Sequence, residues 1–450
     1  VNSFLPDFEA RSEWASLHDV KVAEVSPSLE PICIEMRVPG SKSFTNRAMI
    51  VGALANGTSK FFGILRSDDS YWCIDTLRKL GVDITVDDDV VEIKGVNTSW
   101  PVKDAKLYIG AAGTTARFLP GALAVSSSGR WIIQGSKRMN ERPMSSLIEA
   151  LRNIGADIRC LNEEGYLPIE ITGNGISGGV VNMSGSTSSQ FISGVLLAST
   201  YAKEPVTIQI VDHIVQQSYV KITINLMRQF GVKVEHDEDL KRITVYPGEY
   251  IGREMQLEAD ASTSGYFFGL AAITNGKVRI TNLSYDTFQP DIKLVDVLEK
   301  MGCRVERGNG YIELQGTPHL KGGFDISMKE MSDQTLTLAA IAPFADGPIA
   351  IHDVAHIRKH ESDRIHVICE SLKQMGIQVE EREDGLTVYP GHPKATVLNS
   401  YDDHRVAMSL AMIGARVPGI RITDPGSVSK TCPTFFEELK KLGLQVKLEK

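Results

Sequence analysis

Five polar residues stand at nearly the same distance ahead of a recurring glycine. Arg142 is 13 before Gly155, Tyr219 is 12 before Gly231, Asp291 is 11 before Gly302, Arg364 is 12 before Gly376 and Lys430 is 13 before Gly443. Each is expected in the loop that enters a helix. A helix N-terminus presents unpaired N–H groups and the positive end of the macrodipole, so an Arg or Lys there is misplaced unless an anion comes to meet it. Beside these positions lie loops of small polar residues: GSKS (40–43), AGTTAR (112–117), STSSQ (186–190) and DDHR (402–405). One such cation is most simply a solvated loop charge. Recurrence in several places points instead to a site for phosphate or carboxylate ligands.

Two other constellations carry less. His352, His356 and His360, with Glu361, imitate a metal-ligand spacing, but a four-residue spacing aligns side chains only on a helix, and IAIHDVAHI (349–357) reads as a strand running into a loop. The GSKS turn lacks the full GxxxxGK[ST] spacing of a phosphate-binding loop. Asp87, Asp88 and Asp89 read as a solvated hairpin turn rather than metal ligands.

The elements that must position these residues follow from an internal repeat. LRKLGVDITV (77–86), LRNIGADIRC (151–160), LMRQFGVKVE (226–235), LEKMGCRVER (298–307), LKQMGIQVEE (372–381) and LKKLGLQVKL (439–448) share one pattern, and their glycines are 74, 76, 71, 74 and 67 residues apart. Apolar residues at helical spacing, then Gly, then alternation predict a helix, a left-handed glycine C-cap and a strand. Roughly midway between the glycines, a small polar loop precedes an Ala-rich helix, giving six βαβαββ units. The last unit stops after a helix and strand, so a unit is completed only if the N-terminal strand Pro31–Val38 joins the C-terminal half. The fold class is therefore α/β, with two similar domains of three units each. Residues 1–39 plus 258–450 form one domain and 40–257 the other, with crossings near Val38–Gly40 and Leu257–Asp260. The interdomain cleft is the expected ligand site. Residues 1–20 precede the first unit and acquire no role.

A net charge of −8 disfavours bulk nucleic-acid binding, so positive charge for anions must be local. No apolar run reaches the roughly 18–20 residues of a membrane span. The six cysteines form no CxxC pair and are expected as buried thiols in a reducing compartment, and the acidic N-terminal stretch is unlike a secretory or transit peptide. A cytoplasmic location follows.

The segments PGSKSFTNR (39–47), AGTTAR (112–117), RMNERP (138–143), STSSQF (186–191), SDQT (332–335), HESDR (360–364), DDHR (402–405) and SKTCP (429–433) together resemble the 5-enolpyruvylshikimate-3-phosphate synthase family. The resemblance runs from about Pro31 to the C-terminus, and the family's fold agrees with the repeat count. It implies attack of the 5-hydroxyl of shikimate 3-phosphate on C2 of phosphoenolpyruvate, through a tetrahedral intermediate that expels inorganic phosphate. No metal or other cofactor is implied, and the expected partners are these two small molecules, in a monomer without nucleic acid or membrane. By residue-wise carry-over, Lys42 lies between the substrates. Ser43 and Arg47 hold the shikimate end, Ser188, Ser189 and Gln190 its phosphate, with Asp333 and His360 also in reach. Phosphoenolpyruvate is assigned Lys42, Arg142, Gln190, Arg364, His404, Arg405 and Lys430, with Gly113 and Thr114 in a close-approach turn. Glu361 is the expected proton donor to C3 and Asp333 the acceptor of the hydroxyl proton, with Lys42 as a competing partner. Taken alone, Asp333 also reads as a helix N-cap and Glu361 as a capping-box or surface ion-pair residue.

Four positions depart from the family pattern. Ala111 replaces an Asn near phosphoenolpyruvate, His360 replaces the Lys before the catalytic Glu, His356 stands where Asn is frequent and Gln216 where Ser is common. His360 introduces a group whose charge is expected to change near neutral pH. The related UDP-N-acetylglucosamine enolpyruvyl transferases place Asn after the first-loop Lys and a Cys in the loop before the third-motif Arg. This chain has Ser43, and no Cys in residues 134–147. A non-catalytic anion-binding relative is the other reading, motivated by Ala111 and His360 and opposed by the retained Lys42, Asp333 and Glu361.

Overall fold

A computed structural model describes residues 6–450. The strands of these residues form six four-stranded sheets of one design: a parallel first pair, then two antiparallel strands, so that counted by place in the unit the order within a sheet is first, second, fourth, third. Three sheets are contiguous in sequence, spanning residues 104–172, 179–245 and 324–388. In each unit one helix follows the first strand and another leads into the repeat glycine. All six of those glycines take positive φ, from +83° at Gly376 to +109° at Gly302, a conformation that costs glycine little because it lacks a Cβ. The Asp87–Asp89 segment turns between strands Asp83–Asp87 and Val90–Lys94, as the alternation predicts.

The remaining three sheets are completed from a distance: Pro31–Val38 does join the C-terminal half, and one further strand, ahead of it, was not expected. The last sheet is closed by Val22–Ser26, which pairs antiparallel with both Ile420–Thr423 and Gln445–Glu449. Cys33–Met36 pairs parallel with Lys277–Ile280, opening the unit of the helix Ala261–Thr274. Glu254–Gln256 pairs with Thr58–Phe62 and opens the unit of the helix Lys42–Leu54. Two first strands are thus exchanged across the crossings. The cysteines also differ from expectation: Cys73, Cys303, Cys369 and Cys432 are buried, whereas Cys160 is half-buried and Cys33 exposed, on the outer face of its strand.

Contacts divide the chain into a terminal unit, containing Trp14–Pro39 and Ala259–Lys450, and a central unit, Asp7–Glu13 with Gly40–Glu258. Each holds three sheets around three inner helices. In the central unit these are Lys42–Leu54, Gly113–Ala124 and Ser189–Ser199, buried along nearly their whole length. A Cβ on Gly194 would lie 2.2 Å from the Arg117 carbonyl oxygen, and one on Gly121 2.8 Å from the Ala198 Cβ, so bare backbone is what lets these helices approach. Ala261–Thr274, Thr335–Ile341 and His404–Ile413 are the terminal unit's equivalents. Among the described residues no helix is long and apolar enough to cross a membrane.

Candidate functional site

In the central unit the loops named from sequence fall at the N-termini of the three inner helices. Ser41 caps the first, its Oγ accepting from the Phe44 N–H, so that Lys42 and Ser43 occupy the opening turn. Lys42 Nζ lies 3.9 Å from Asp69 Oδ2. Arg47, one turn on, is 2% exposed. Its guanidinium donates to Thr223 Oγ1 at 2.8 Å and to the Ser43 carbonyl at 3.1 Å, and stacks 5.0 Å from the Phe118 ring. Burial draws the Arg47 pKa down to about 10. Gly113 and Thr114 are the first two residues of the second inner helix rather than a separate turn, and Thr114 Oγ1 accepts from Asn46 Nδ2 at 2.8 Å. A Cβ on Gly113 would meet Arg117 Nη1 at 2.6 Å and Arg142 Nη1 at 3.2 Å, so this glycine gathers two guanidinium groups over one helix N-terminus. Ser188 caps the third helix, accepting from the Gln190 N–H at 3.1 Å, with Ser189 buried beside it; Gln190 Oε1 accepts from Arg117. The arrangement offers N–H groups, hydroxyls and cations to an anion.

The terminal unit holds a denser network. Asp403, wholly buried, caps the helix His404–Ile413 and accepts from Arg364 Nε at 2.9 Å, Arg364 Nη2 at 3.1 Å and Ser362 Oγ at 2.8 Å. Arg364 also donates to Glu361 Oε2 at 2.7 Å and lies 3.4 Å from Asp333 Oδ1. Lys430 Nζ reaches Glu361 Oε1 at 2.7 Å, and Arg405 Nη2 lies 3.7 Å from Asp333 Oδ2. His404 is 1% exposed, next to Asp403. Burial opposes the charge on Arg364, but Asp403 and Glu361 outweigh it and hold the guanidinium firmly protonated.

Several expectations change here. Asp333 does not cap the helix after SDQT, because that position is Gln334 and Asp333 lies in the 3-10 turn Lys329–Gln334. Glu361 does not cap either; Asp363 does, accepting from the His366 N–H. Of the five recurring polar positions only Arg142 sits in an open loop. Asp291 and Lys430 lie in 3-10 turns, Arg364 is the first residue of its helix, and Tyr219 is inside the helix Gln217–Gln229, which Gln216 precedes at φ +52°. His360 is no near-neutral switch: burial, then the Arg364 guanidinium 3.1 Å from its Nδ1, pushes its pKa down to about 4. His356, bonded to Ser332 Oγ at 2.9 Å, is likewise lowered by burial. Among the described residues no group of three or more His, Cys, Asp or Glu could hold a metal ion.

Three participants escaped the candidate residues: Asp403, Arg117 and Asp69. Asp403 and Arg117 lie within the recognised motifs DDHR and AGTTAR, so the signal was present. Asp69 had only its acidic position in the first turn of a helix, which the macrodipole alone explains.

The family model for EPSP synthase (3-phosphoshikimate 1-carboxyvinyltransferase) matches residues 29–439. A 3-phosphoshikimate 1-carboxyvinyltransferase 2 of Halalkalibacterium halodurans is 56% identical over 442 residues, covering 98% of each chain. A 3-phosphoshikimate 1-carboxyvinyltransferase of Trichormus variabilis is 39% identical over 415 residues, 92% of this chain and 97% of that one. An EPSP synthase structure from Acinetobacter baumannii matches with a TM-score of 0.83 at 27% identity, covering 96% of this chain and 100% of that one.

Proposed function

The chain belongs to the EPSP synthase family and catalyses the 3-phosphoshikimate 1-carboxyvinyltransferase reaction, and we propose that its residues divide that work between the two clusters. The substrates are phosphoenolpyruvate and shikimate 3-phosphate. The shikimate 5-hydroxyl oxygen bonds to C2 of phosphoenolpyruvate as C3 takes up a proton. C3 then returns a proton as the C2–O bond breaks, releasing inorganic phosphate and leaving the enol ether.

In this reading Ser188, Ser189 and Gln190 take the shikimate phosphate at a helix N-terminus, where hydroxyls and N–H groups converge. Ser43 takes the shikimate end, and Arg47 acts through it by holding its carbonyl. Lys42, Gly113, Thr114, Arg142, Arg364, His404, Arg405 and Lys430 receive phosphoenolpyruvate. Arg364 can only donate, so His360 Nδ1 accepts and its proton sits on Nε2, free for a shikimate hydroxyl. Asp333, a carboxylate beside two arginines, is the base.

The observation that carries this reading is Glu361 bridging Arg364 and Lys430, 2.7 Å from each. The phosphate and carboxylate of phosphoenolpyruvate compete for those same cations. A half-buried carboxylate that surrenders two cationic partners takes up a proton more readily, and Glu361 then holds the acid needed at C3. Binding of phosphoenolpyruvate beside shikimate 3-phosphate is therefore expected to take up a proton. Calorimetry in buffers of different ionisation enthalpy reads this directly, and uptake should vanish in Glu361→Gln. Phosphate release compared with shikimate 3-phosphate and with UDP-N-acetylglucosamine as acceptor checks the substrate; turnover with the second alone would sink the reading.

A further inference from the structure

The segment Asp7–Glu13 lies ahead of the span 29–439 that the family model matches, yet it is bonded to three elements that lead into the central cluster. The Ser12 N–H and Oγ both donate to Asp68 Oδ1, at 2.8 and 2.6 Å. Asp68 is 5% exposed and opens the helix Asp68–Lys79; its neighbour Asp69, 3% exposed, is the residue facing Lys42 Nζ. At the other end of the segment, the Asp7 carboxylate accepts from Ser136 Oγ. With its proton directed to Asp7, that hydroxyl presents a lone pair to the Met139 N–H at 3.3 Å and so caps the short helix Lys137–Asn140, whose exit leads to Arg142. Between these ends the backbone is pinned twice: Trp72 Nε1 donates to the Ala10 carbonyl at 2.6 Å, and Tyr108 Oη to the Glu9 carbonyl at 3.1 Å. The Trp72 ring also closes on Gly110, where a Cβ would come within 2.3 Å of Nε1, at the start of the loop that delivers Gly113.

We propose that residues 7–13 are a positioning segment for phosphoenolpyruvate binding, setting Lys42 through Asp68 and Asp69 and Arg142 through Ser136. The inference rests on the assignment of Lys42 and Arg142 made above. None of these contacts touches Ser188, Ser189 or Gln190, which take the shikimate phosphate in that assignment, and Arg142 belongs to phosphoenolpyruvate alone, so the larger effect falls on phosphoenolpyruvate.

Steady-state kinetics of Ser12→Ala, Asp7→Ala and Ser12→Thr test it. Loss of hydrogen bonds that only orient a binding group is worth a few-fold in affinity, so KM for phosphoenolpyruvate should rise about fivefold in each Ala variant. KM for shikimate 3-phosphate should stay within about twofold, and Ser12→Thr, which keeps the hydroxyl, should restore the wild-type value. Unchanged constants in both Ala variants overturn the proposal. So does a fall in kcat with both KM values unchanged, the signature of lost folded enzyme. A wild-type chain showing no release dependent on shikimate 3-phosphate would instead remove the underlying assignment, which separates the two failures.

Discussion

Arg364 has no acceptor to offer, so the His360 nitrogen 3.1 Å away must carry a lone pair, and the imidazole is neutral. From residue type alone, a His in place of the family's Lys promises a charge that changes around neutrality. Its burial against a guanidinium moves that change to about pH 4. The consequence is thermodynamic. The unfolded chain takes up a proton at His360 as pH falls through about 6.5, while the folded chain resists until about 4, so stability present above pH 6.5 is lost across that window. At pH 5 the loss amounts to about 2 kcal/mol relative to pH 7. His360→Gln should remove this part of the slope, measured by urea unfolding at the two pH values; an identical slope in the variant would contradict the neutral assignment. Identities at this scale were legible, because Asp333, Glu361, Arg364, Arg405 and Lys430 sit in ordered motifs. Pairings were not: nothing in DDHR announces that Asp403 spends both oxygens on Arg364, since that contact joins segments 39 residues apart.

At the scale of elements, the repeat glycines were readable because a left-handed C-cap is a local requirement that each unit must meet by itself. That Pro31–Val38 joins the C-terminal half was readable from the unit count, but its neighbour was not, since a parallel partner is selected by packing and Cys33–Met36 carries no mark of the strand Lys277–Ile280 that it joins. The inner helices also obey a constraint invisible in propensity, where Gly194 reads as a weak helix residue. Its worth lies in the 2.2 Å that a Cβ would leave to the Arg117 carbonyl. Gly194→Ala should destabilise the protein by about 1–3 kcal/mol through overpacking, whereas Gly248→Ala, whose Cβ would meet nothing nearer than Thr200 Oγ1 at 3.4 Å, should stay within about 0.5 kcal/mol. Chemical denaturation of the pair decides; equal effects would mean that the helices can part at no cost.

For the whole molecule, composition was a poor guide to the site. A chain of net charge −8 gathers Arg364, Arg405 and Lys430 in one unit and Lys42, Arg117 and Arg142 in the other, so its average hides the local sign. The fold follows from six similar units, whereas the proposed chemistry is assigned to Asp333 and Glu361, each held beside cations. The most direct measurement is phosphate release by the wild type, Glu361→Gln and Asp333→Asn at saturating phosphoenolpyruvate and shikimate 3-phosphate, with shikimate 3-phosphate binding measured in parallel by calorimetry. The wild type should release phosphate only when both substrates are present, and each variant should lose about 100-fold or more in kcat while still binding shikimate 3-phosphate. Release without shikimate 3-phosphate, or either variant turning over at the wild-type rate, would contradict the account.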